Sequence, residues 1–237
     1  MHKTAGPGAG AKAAAASVSL KAGRFRLDRE ELLRSRRGYR RAQRVRDVVL
    51  SLLGLTVLAA PMLILAVVIW VDSPGASPIF VQNRVGLNGT MFRMYKFRSM
   101  IPRAEEGLGA LLGQNEMAGP VFKMKGDPRI TRVGRLLRRT GLDELPQLVN
   151  VLKGDMSLVG PRPALPREAA AYSAYQQQRF YVLPGLTCYW QVQPCRNQMA
   201  FDEWVDLDLQ HIQDRSFWLD WKLMIQTIPA VLGMYGE

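Results

Sequence analysis

The sequence contains few residues able to bind a transition metal or to form disulfides. Only two histidines, His2 and His211, and two cysteines, Cys188 and Cys195, occur among its 237 residues. These four residues do not form a zinc ligand set at any standard spacing, and a chain of this length does not depend on a disulfide framework. The sequence therefore indicates neither a zinc protein nor a disulfide-stabilised domain, and it favours a reducing compartment.

Acidic residues are scarce near the N-terminus. Residues 1–46 contain 13 Lys/Arg but only 3 Asp/Glu, a net charge of +10, whereas residues 47–237 contain 19 and 17, a net charge of +2. The total charge of +12 would suit a nucleic-acid-binding protein if it covered the folded body. Because most of it lies in an arm, we predict a flexible basic tail over 1–46 and no nucleic-acid partner.

Charged residues are absent from a long apolar run that follows the arm. The run extends from Val48 to Val71 and reads VVLSLLGLTVLAAPMLILAVVIWV. At a rise of about 1.5 Å per residue, a helix over this run would be about 36 Å long, enough to cross a hydrocarbon layer of about 30 Å. A signal peptide is disfavoured because the basic leader before the run is too long. We therefore predict a membrane-inserted helix over 47–72.

Pro61 lies almost at the midpoint of this run and leaves two topologies open. Proline removes a backbone hydrogen bond and clashes with the carbonyl four residues earlier, so we predict a kink there. Membrane-spanning helices tolerate such prolines, and a spanning helix would hold the arginine arm in the cytoplasm and export the chain after Asp72. A helix that breaks at Pro61 and returns would instead leave both of its ends, and residues 73–237, on one face.

The rest of the chain predicts an α/β body that is mostly helical. Two short strands are expected on either side of the hairpin-turn pair Asn88-Gly89. Apolar residues at helical spacing predict helices from Arg129, over 143–153 and over 166–181. The aromatic residues near the C-terminus suit either a helix at a membrane interface or core packing. They are Trp204, Phe217, Trp218 and Trp221.

Two adjacent carboxylates, Asp143 and Glu144, follow a run of arginines. The apolar spacing makes Asp143 the expected N-cap of the helix over 143–153, with Pro146 at the third helical position and Gly154 just past the end. Capping alone stabilises a helix by about 1 kcal/mol and requires no other role. A helix start also offers free N–H groups and a positive dipole end, which suit diphosphate oxygens. Both interpretations of Asp143 stay open.

The dyad also carries the groups that phosphoryl transfer requires. An aspartate can attack phosphorus and form an acyl phosphate, which divides one transfer into two steps. The adjacent Glu144 suits metal binding or removal of a proton from the acceptor. A divalent ion held by a carboxylate would offset the charge of a diphosphate.

Four basic residues are candidates for binding phosphate oxygens. Arg138 precedes the dyad by five residues, and two prolines restrict the backbone around Arg162 in the segment VGPRP. Lys96 and Arg98 lie at the end of the second predicted strand. The alternatives are a solvated helix face for Arg138, an ion pair in a rigid turn for Arg162, and ordinary surface charges for the two strand residues.

Together these segments resemble the bacterial sugar transferases, the monotopic phosphoglycosyl transferases of polyprenol-linked glycan assembly. The resemblance covers roughly residues 46–233. It rests on the proline-broken apolar run, on SPIFVQNRVGLNG, YKFRSM, DPRITRVGRLLRRTGLDELPQLVNVLKGDMSLVGPRP and PGLT, and on the Trp-Gln-Val that begins at Trp190. The long central segment is far more specific than a short motif.

The resemblance implies a membrane enzyme with a re-entrant helix, interfacial amphipathic helices and a catalytic domain, 73–237, on the cytosolic face of the inner membrane. Such enzymes move a sugar 1-phosphate from a UDP-sugar to undecaprenyl phosphate, release UMP and require Mg²⁺. Their covalent nucleophile is the aspartate of the dyad, here Asp143, which is also the expected metal ligand beside Glu144. The family's arginines match Arg138 and Arg162.

One segment departs from the family pattern. Members often carry Gly-Trp-Ala-Gln-Val followed by Asn-Gly-Arg, whereas this chain has TCYWQVQPCR over residues 187–196. The matching arginine is Arg196, which the resemblance makes a fifth phosphate-binding candidate. The altered neighbours leave its role and the sugar specificity open.

We therefore expect a sugar-phosphate transferase that begins a bacterial exopolysaccharide, lipopolysaccharide or other surface glycan at the membrane lipid, through a phosphosugar-aspartate intermediate. One alternative is a membrane-bound glycosyl transferase that moves only the sugar and releases UDP. Another is a basic membrane adaptor without enzymatic activity. The oligomeric state is open, with a homodimer among the states considered.

Overall fold

The described part of the chain is mainly helical. The computed structural model describes residues 25–193 and 198–231, so His2, Cys195 and Arg196 lie outside the described residues. The helices in these ranges are α1 Arg29–Ser35, α2 Arg37–Val57, α3 Ala59–Asp72, α4 Leu108–Leu111, α5 Arg132–Thr140, α6 Gln147–Lys153, α7 Pro166–Ala170, α8 Ala174–Gln177, α9 Phe201–Asp214 and α10 Phe217–Val231. The strands are β1 Ile79–Val85, β2 Met91–Phe97, β3 Ser157–Val159 and β4 Gly185–Thr187. The predicted α/β fold of mostly helical content is confirmed.

The apolar run forms two helices that meet at a sharp bend. α2 ends at Val57 and α3 begins at Ala59, with an angle of 62° between the helices. Pro61 lies in the first turn of α3 and has no N–H to donate to the carbonyl of Val57, four residues earlier. Leu58 takes up the change of direction, with φ −92° and ψ 4°. The predicted kink is confirmed, and its centre lies three residues before the proline.

The bent pair carries much of the exposed apolar surface. No single helix in the described ranges is long and apolar enough to cross a membrane, and α2 and α3 meet that test only when taken together. The large exposed apolar side chains of the pair are Val45, Val49, Leu52, Leu53, Val57, Leu63, Ile64, Val67, Val68, Trp70 and Val71. Near its end α3 packs on the body, where Ile69, Phe97 and Leu137 form a buried cluster.

The basic arm is helical over its described part. α1 and the first half of α2 cover residues 29–35 and 37–46, so the helix that carries the start of the apolar run begins at Arg37. Phe25, Leu27 and Leu32 pack against the main apolar core of the body. Apolar side chains between the charged residues therefore anchor residues 25–46 to the body. Residues 1–24 of the predicted flexible tail lie outside the described residues.

A buried ion-pair network joins α2 to α9 and α10. Arg46 Nη1 lies 2.6 Å from Asp220 Oδ2, and Arg46 Nη2 lies 2.9 Å from Asp47 Oδ1. Asp220 also accepts a hydrogen bond of 2.8 Å from the Tyr39 hydroxyl and lies 3.3 Å from His211 Nε2. These contacts fix the first half of α2 to the body.

The first two strands form the predicted hairpin. β1 and β2 pair antiparallel, with Ile79 opposite Phe97. Asn88 and Gly89 have φ of 56° and 78°, the left-handed region that Asn and Gly adopt most readily. The hairpin prediction is confirmed, and it sets Lys96 near the end of β2.

A second, parallel pair of strands holds two loops together. Ser157 lies opposite Gly185, and Val159 lies opposite Thr187. A Cβ added at Gly185 would lie 2.1 Å from the backbone nitrogen of Gly160, so this close approach requires glycine. The pairing brings the loop after β3 next to β4.

Two predicted helices begin or end elsewhere. The helix expected from Arg129 begins at Arg132, because the Thr131 hydroxyl caps α5 by accepting a bond from a backbone N–H. The helix expected over 166–181 is divided into α7, α8 and a 3-10 turn. Ser173 caps α8 and starts a separate helix, since its local hydrogen bond competes with continuation of α7.

The aromatic residues near the C-terminus divide between core and surface. Trp190 and Trp204 stack with ring centroids 4.1 Å apart inside the main core. Trp218 in α10 is 79% exposed, and Ile225 and Ile228 on the same helix are also exposed. Core packing therefore explains Trp204, whereas the exposed residues of α10 keep an apolar face outward.

Candidate active site

The body contains a cleft of about 480 Å³ bordered by the hairpin, α5, α6, the β3–β4 pair and α10. Its charged lining residues are Arg84, Lys96, Arg138, Arg139, Asp143, Glu144 and Arg162. The elements that supply them are far apart along the chain. The cleft therefore brings the acidic dyad together with three of the predicted phosphate-binding residues.

The dyad lies in a 3-10 turn, Leu142–Glu144, between α5 and α6. α6 begins at Gln147, four residues later than the helix predicted over 143–153, and no side chain caps it. The prediction that Asp143 caps this helix is therefore wrong. The physical reason is Gly141, which ends α5 with φ 65° and turns the chain before α6 starts. Both carboxylates line the cleft instead.

Lys96, Arg138 and Arg162 supply positive charge to the same cleft. Arg138 Nε donates a hydrogen bond of 2.9 Å to Ser99 Oγ, which orients its guanidinium group. None of the ion pairs within the described ranges involves these three side chains. Their donors therefore suit phosphate oxygens, and the described residues provide no structural ion pair for Arg162.

Arg84 is a cleft residue that the sequence pattern did not identify. It is 5% exposed; its Nη1 donates to the Pro163 carbonyl at 2.9 Å and its Nη2 donates to Gln82 Oε1 at 2.7 Å. Burial, and then repulsion from Arg162, lower the pKa of Arg84 to about 10. The available sequence signal was the spacing of Phe80, Gln82 and Arg84, which puts these three side chains on one face of β1.

The ammonium group of Lys96 is set among arginines. Burial lowers its pKa, Arg84 and Arg138 lower it further, and Asp143 acts in the opposite direction, with a resulting value of about 8. Lys96 is therefore a cation at neutral pH that loses its charge within an accessible pH range.

The pKa values of both dyad carboxyls are raised. Burial raises that of Asp143, against the attraction of Lys96 and Arg138. Burial, and then the charge of Asp143, raise that of Glu144, against the attraction of Arg162. Two adjacent carboxylates hinder each other's ionisation, so the pair suits one nucleophilic carboxylate and one proton carrier.

Backbone contacts hold the loop that carries Arg162. Arg179 Nη2 donates a hydrogen bond of 3.2 Å to the Arg162 carbonyl. Arg179 is itself held by an ion pair of 2.8 Å with Asp208 and donates to the Tyr172 hydroxyl at 2.9 Å. The Arg162 side chain thus projects from a backbone fixed by a buried network and by flanking prolines.

One predicted phosphate-binding residue, Arg98, is not among the described residues that line this cleft. Arg98 Nε donates to the Ser77 carbonyl at 2.7 Å, and its guanidinium lies 5.5 Å from the centre of the Phe80 ring. Arg98 lines a neighbouring cleft of about 540 Å³. The two clefts share Arg84, Lys96, Arg138 and Arg162. Arg196 lies outside the described residues.

The donor set of the dyad fits magnesium better than a closed metal centre. Within residues 25–193 and 198–231, no group of three or more His, Cys, Asp or Glu side chains could hold a metal ion. Mg²⁺ at phosphate sites takes one or two protein carboxylates and completes its shell with phosphate oxygens and water. Asp143 and Glu144 therefore fit an ion that binds together with a phosphate substrate.

The sequence is similar to those of known proteins over most of its length. The family model of the bacterial sugar transferases matches residues 38–234. The undecaprenyl-phosphate galactose phosphotransferase of Salmonella typhimurium is 40% identical over 208 residues, which cover 85% of this chain and 43% of that protein. The UDP-glucose:undecaprenyl-phosphate glucose-1-phosphate transferase of Caulobacter vibrioides is 42% identical, covering 80% and 69%. The exopolysaccharide production protein ExoY of Rhizobium meliloti is 36% identical, covering 83% and 88%.

Several of the similar proteins are longer, and the chain spans about two fifths of their length. The matched residues include the bent helix pair, the hairpin, the dyad and the arginines of the cleft. The family model thus covers most of the sequence, and the resemblance inferred from its motifs is confirmed. This chain belongs to the bacterial sugar transferase family.

Proposed function

We propose that the chain is a phosphoglycosyl transferase that moves a sugar 1-phosphate from a UDP-sugar to undecaprenyl phosphate. The observation that carries the proposal is the location of Asp143 and Glu144 in one cleft with Lys96, Arg138 and Arg162. A carboxylate among cations suits attack on a diphosphate, because the cations offset the charge of its oxygens. The names of the Salmonella and Caulobacter relatives, which include undecaprenyl phosphate, support the acceptor.

In the proposed first step, a carboxylate oxygen of Asp143 attacks the β-phosphorus of the UDP-sugar. A bond forms between this oxygen and phosphorus, the bond from the β-phosphorus to the bridging oxygen breaks, and UMP leaves with that oxygen and its electron pair. The product on the protein is an acyl phosphate that carries the sugar. Lys96 and the arginines stabilise the negative charge on the departing phosphate.

In the proposed second step, an oxygen of the polyprenol phosphate attacks the same phosphorus atom. The bond from phosphorus to Asp143 breaks, the carboxylate is regenerated, and the lipid carries a diphosphate-linked sugar. Burial raises the pKa of Glu144, which suits a group that accepts a proton from the incoming phosphate.

Mg²⁺ is the proposed cofactor, with Asp143 as its ligand and Glu144 beside it. When bound, the ion supplies positive charge to the oxygens of the diphosphate. The contribution of the chain's own residues is to bind and orient the same oxygens through Lys96, Arg138 and Arg162.

The proposed location is the cytosolic face of the inner membrane, with α2 and α3 forming a re-entrant helix. Burial of their exposed apolar side chains in lipid removes these side chains from water. Both ends of the pair contact one body: Arg46 of α2 pairs with Asp220, and Ile69 of α3 packs near Leu137. A pair with both ends on one body cannot place that body on two sides of a bilayer. UDP-sugars are cytosolic substrates, which supports this face.

The proposed pathway is assembly of an exopolysaccharide or lipopolysaccharide. The name of the Rhizobium relative, an exopolysaccharide production protein, supports a surface glycan. The lipid acceptor lies within the bilayer, so a cleft held beside the membrane by α2 and α3 can receive its phosphate.

Covalent labelling tests the proposal directly. The protein is incubated with Mg²⁺ and a panel of UDP-sugars labelled in the sugar, without lipid acceptor, and examined by intact-protein mass spectrometry. We expect one phosphosugar adduct per chain and one released UMP. Asp143→Asn should form no adduct and lower turnover at least about 10³-fold, since it removes the nucleophile. Asp214→Asn, a matched change at an exposed aspartate, should label normally.

Other outcomes separate the alternatives. Release of UDP in place of UMP would indicate a glycosyl transferase that moves only the sugar. An adduct on the Asp143→Asn protein would show that Asp143 is not the nucleophile. A non-enzymatic adaptor would form no product with any donor and would lose its function on deletion of residues 1–40.

A further inference from the structure

The cleft has a neutral polar part as well as a cationic part. Its neutral polar residues are Gln147, Thr187, Gln191 and Thr227. A UDP-sugar likewise combines a charged diphosphate with an uncharged sugar rich in hydroxyl groups. The proposed function uses the cations for the diphosphate and leaves the neutral part of the cleft without a role. Sugar hydroxyls require partners that both donate and accept hydrogen bonds.

Gln147 is buried but has no hydrogen-bond partner in the described protein. It is 4% exposed, and its side-chain amide makes no hydrogen bond to any residue in the described ranges. The buried, unpartnered side-chain atoms that solvent cannot reach do not include those of Gln147. Its amide is therefore accessible from the cleft that it lines. Buried amides are almost always hydrogen-bonded, and an amide in this position points to a ligand.

Thr187 and Thr227, unlike Gln147, have no donor available for a ligand. The Thr187 and Thr227 hydroxyl oxygens lie 2.6 Å apart, and Thr227 donates a hydrogen bond of 2.7 Å to the Leu223 carbonyl. Thr187 must then donate to Thr227, so neither hydroxyl retains a proton for a ligand. Gln191 Oε1 accepts a hydrogen bond from Cys188 Sγ at 3.4 Å. Gln147 thus combines uncommitted donors and an uncommitted acceptor.

We propose that Gln147 binds the sugar of the nucleotide substrate through its hydroxyl groups, beside the phosphorus that Asp143 attacks. Gln147 follows Asp143 by four residues and lines the same cleft. The assignment rests on the proposed function. Since the sugar stays attached to the transferred phosphorus while UMP departs, Gln147 contacts a group that is present in both steps.

Binding measurements that compare a UDP-sugar with UDP test the assignment. The parent is the Asp143→Asn protein, in which binding is not followed by transfer, and calorimetry with UDP-glucose, UDP-galactose and UDP gives each Kd. In this parent, Gln147→Met keeps the length of the side chain and removes its hydrogen bonds. We expect the Kd of the preferred UDP-sugar to rise about tenfold and that of UDP to change less than about twofold.

Two further variants guard the result against effects on folding. Gln147→Ala removes the same hydrogen bonds without the bulk of methionine and should show the same selective loss. Gln114→Met changes an exposed glutamine that does not line the cleft and should alter neither Kd. Thermal unfolding midpoints close to that of the parent verify that each variant is folded.

The outcomes distinguish the two levels of the proposal. Equal weakening of UDP-sugar and UDP binding would show that Gln147 contacts the nucleotide or maintains the shape of the cleft. Unchanged binding in both Gln147 variants would show that Gln147 does not contact the ligand. Either result overturns the assignment and leaves the proposed transferase intact. A parent protein that binds no UDP-sugar would overturn the proposed function and this inference together.

Discussion

Lys96 differs from the arginines around it in the pH at which its charge is lost. Arginine stays protonated throughout the physiological range, and even the lowered pKa of Arg84 is about 10. Burial, followed by repulsion from Arg84, lowers the pKa of Lys96 to about 8. The cleft therefore loses one cation as the pH rises past this value. At acid pH the charge of the dyad changes instead: because the pKa of Asp143 is raised, this carboxyl becomes protonated at a higher pH than an ordinary aspartate.

The first prediction is a bell-shaped pH profile of kcat/KM for the UDP-sugar. Below its pKa Lys96 is charged and binds phosphate, whereas above its pKa the amine is neutral. On the alkaline side kcat/KM should therefore decrease with a midpoint near pH 8. On the acid side, protonation of Asp143 removes the nucleophile, and this limb should lie above pH 3.8, the ordinary value for aspartate. Steady-state rates measured over a wide pH range check both limbs.

Lys96→Arg provides the control for the alkaline limb. Arginine keeps its charge, so the limb should move to a higher pH even where the rate at neutral pH is reduced. Lys125→Arg, at an exposed lysine that lines neither cleft, should leave the profile unchanged. An alkaline limb that stays in place in Lys96→Arg would assign it to another group.

The bend between α2 and α3 divides the apolar run between two helices. Pro61 removes one bond from the helix ladder at the point where Leu58 changes direction. The body then receives both ends of the pair, through Arg46 near one end and Ile69 near the other. This geometry supports the proposed re-entrant arrangement, in which both ends of the pair lie on one face of a membrane.

Cysteine accessibility tests the re-entrant arrangement. In a chain whose native cysteines are replaced by alanine, Ala42→Cys and Pro74→Cys put exposed thiols on either side of the apolar run. We expect a membrane-impermeant thiol reagent to label both cysteines in inverted vesicles, whose cytosolic face is exposed. It should label neither in right-side-out vesicles, whose outer face is exposed. Leu63→Cys, in the apolar part, should resist labelling from both faces. Labelling of Pro74→Cys from the outer face alone would instead indicate a spanning helix.

The molecule as a whole is tied together by charges buried between its two ends. Asp220 of α10 lies between Arg46, Tyr39 and His211, while Arg46 also contacts Asp47. The Arg46 and Asp220 side chains are 3% and 0% exposed, so removal of one partner leaves the other charge buried without compensation. The network therefore couples the attachment of α2 to the integrity of the body.

Asp220→Ala is predicted to lower the free energy of unfolding by about 3–5 kcal/mol, the usual effect of breaking a buried ion pair. Denaturant unfolding of the protein in detergent measures the loss. The matched control is Glu30→Ala, which breaks the Glu30–Arg34 pair, whose side chains are 81% and 79% exposed. Its effect should be less than about 1 kcal/mol. A similar small effect for both changes would show that the network does not hold α2 to the body.

Local chemistry explains which structural predictions succeeded. Asn88-Gly89 predicts the hairpin because positive φ is a property of these two residues, and Pro61 predicts the kink because it lacks an N–H wherever it lies. The cap assigned to Asp143 failed since apolar spacing did not register the turn at Gly141. The burial of Arg84 was missed because its hydrogen-bond partner Pro163 is distant along the chain.

The sequence by itself determined the acidic dyad, the apolar run broken by proline, the hairpin and the family, since each depends on residue types at short spacing. Only the tertiary structure decided which cations meet the dyad: Arg84 lines its cleft, whereas Arg98 turns to Ser77. The physical reason is that the cleft forms where strands, helices and loops from separate parts of the chain pack together. No local pattern records which side chains that packing brings within reach of the two carboxylates.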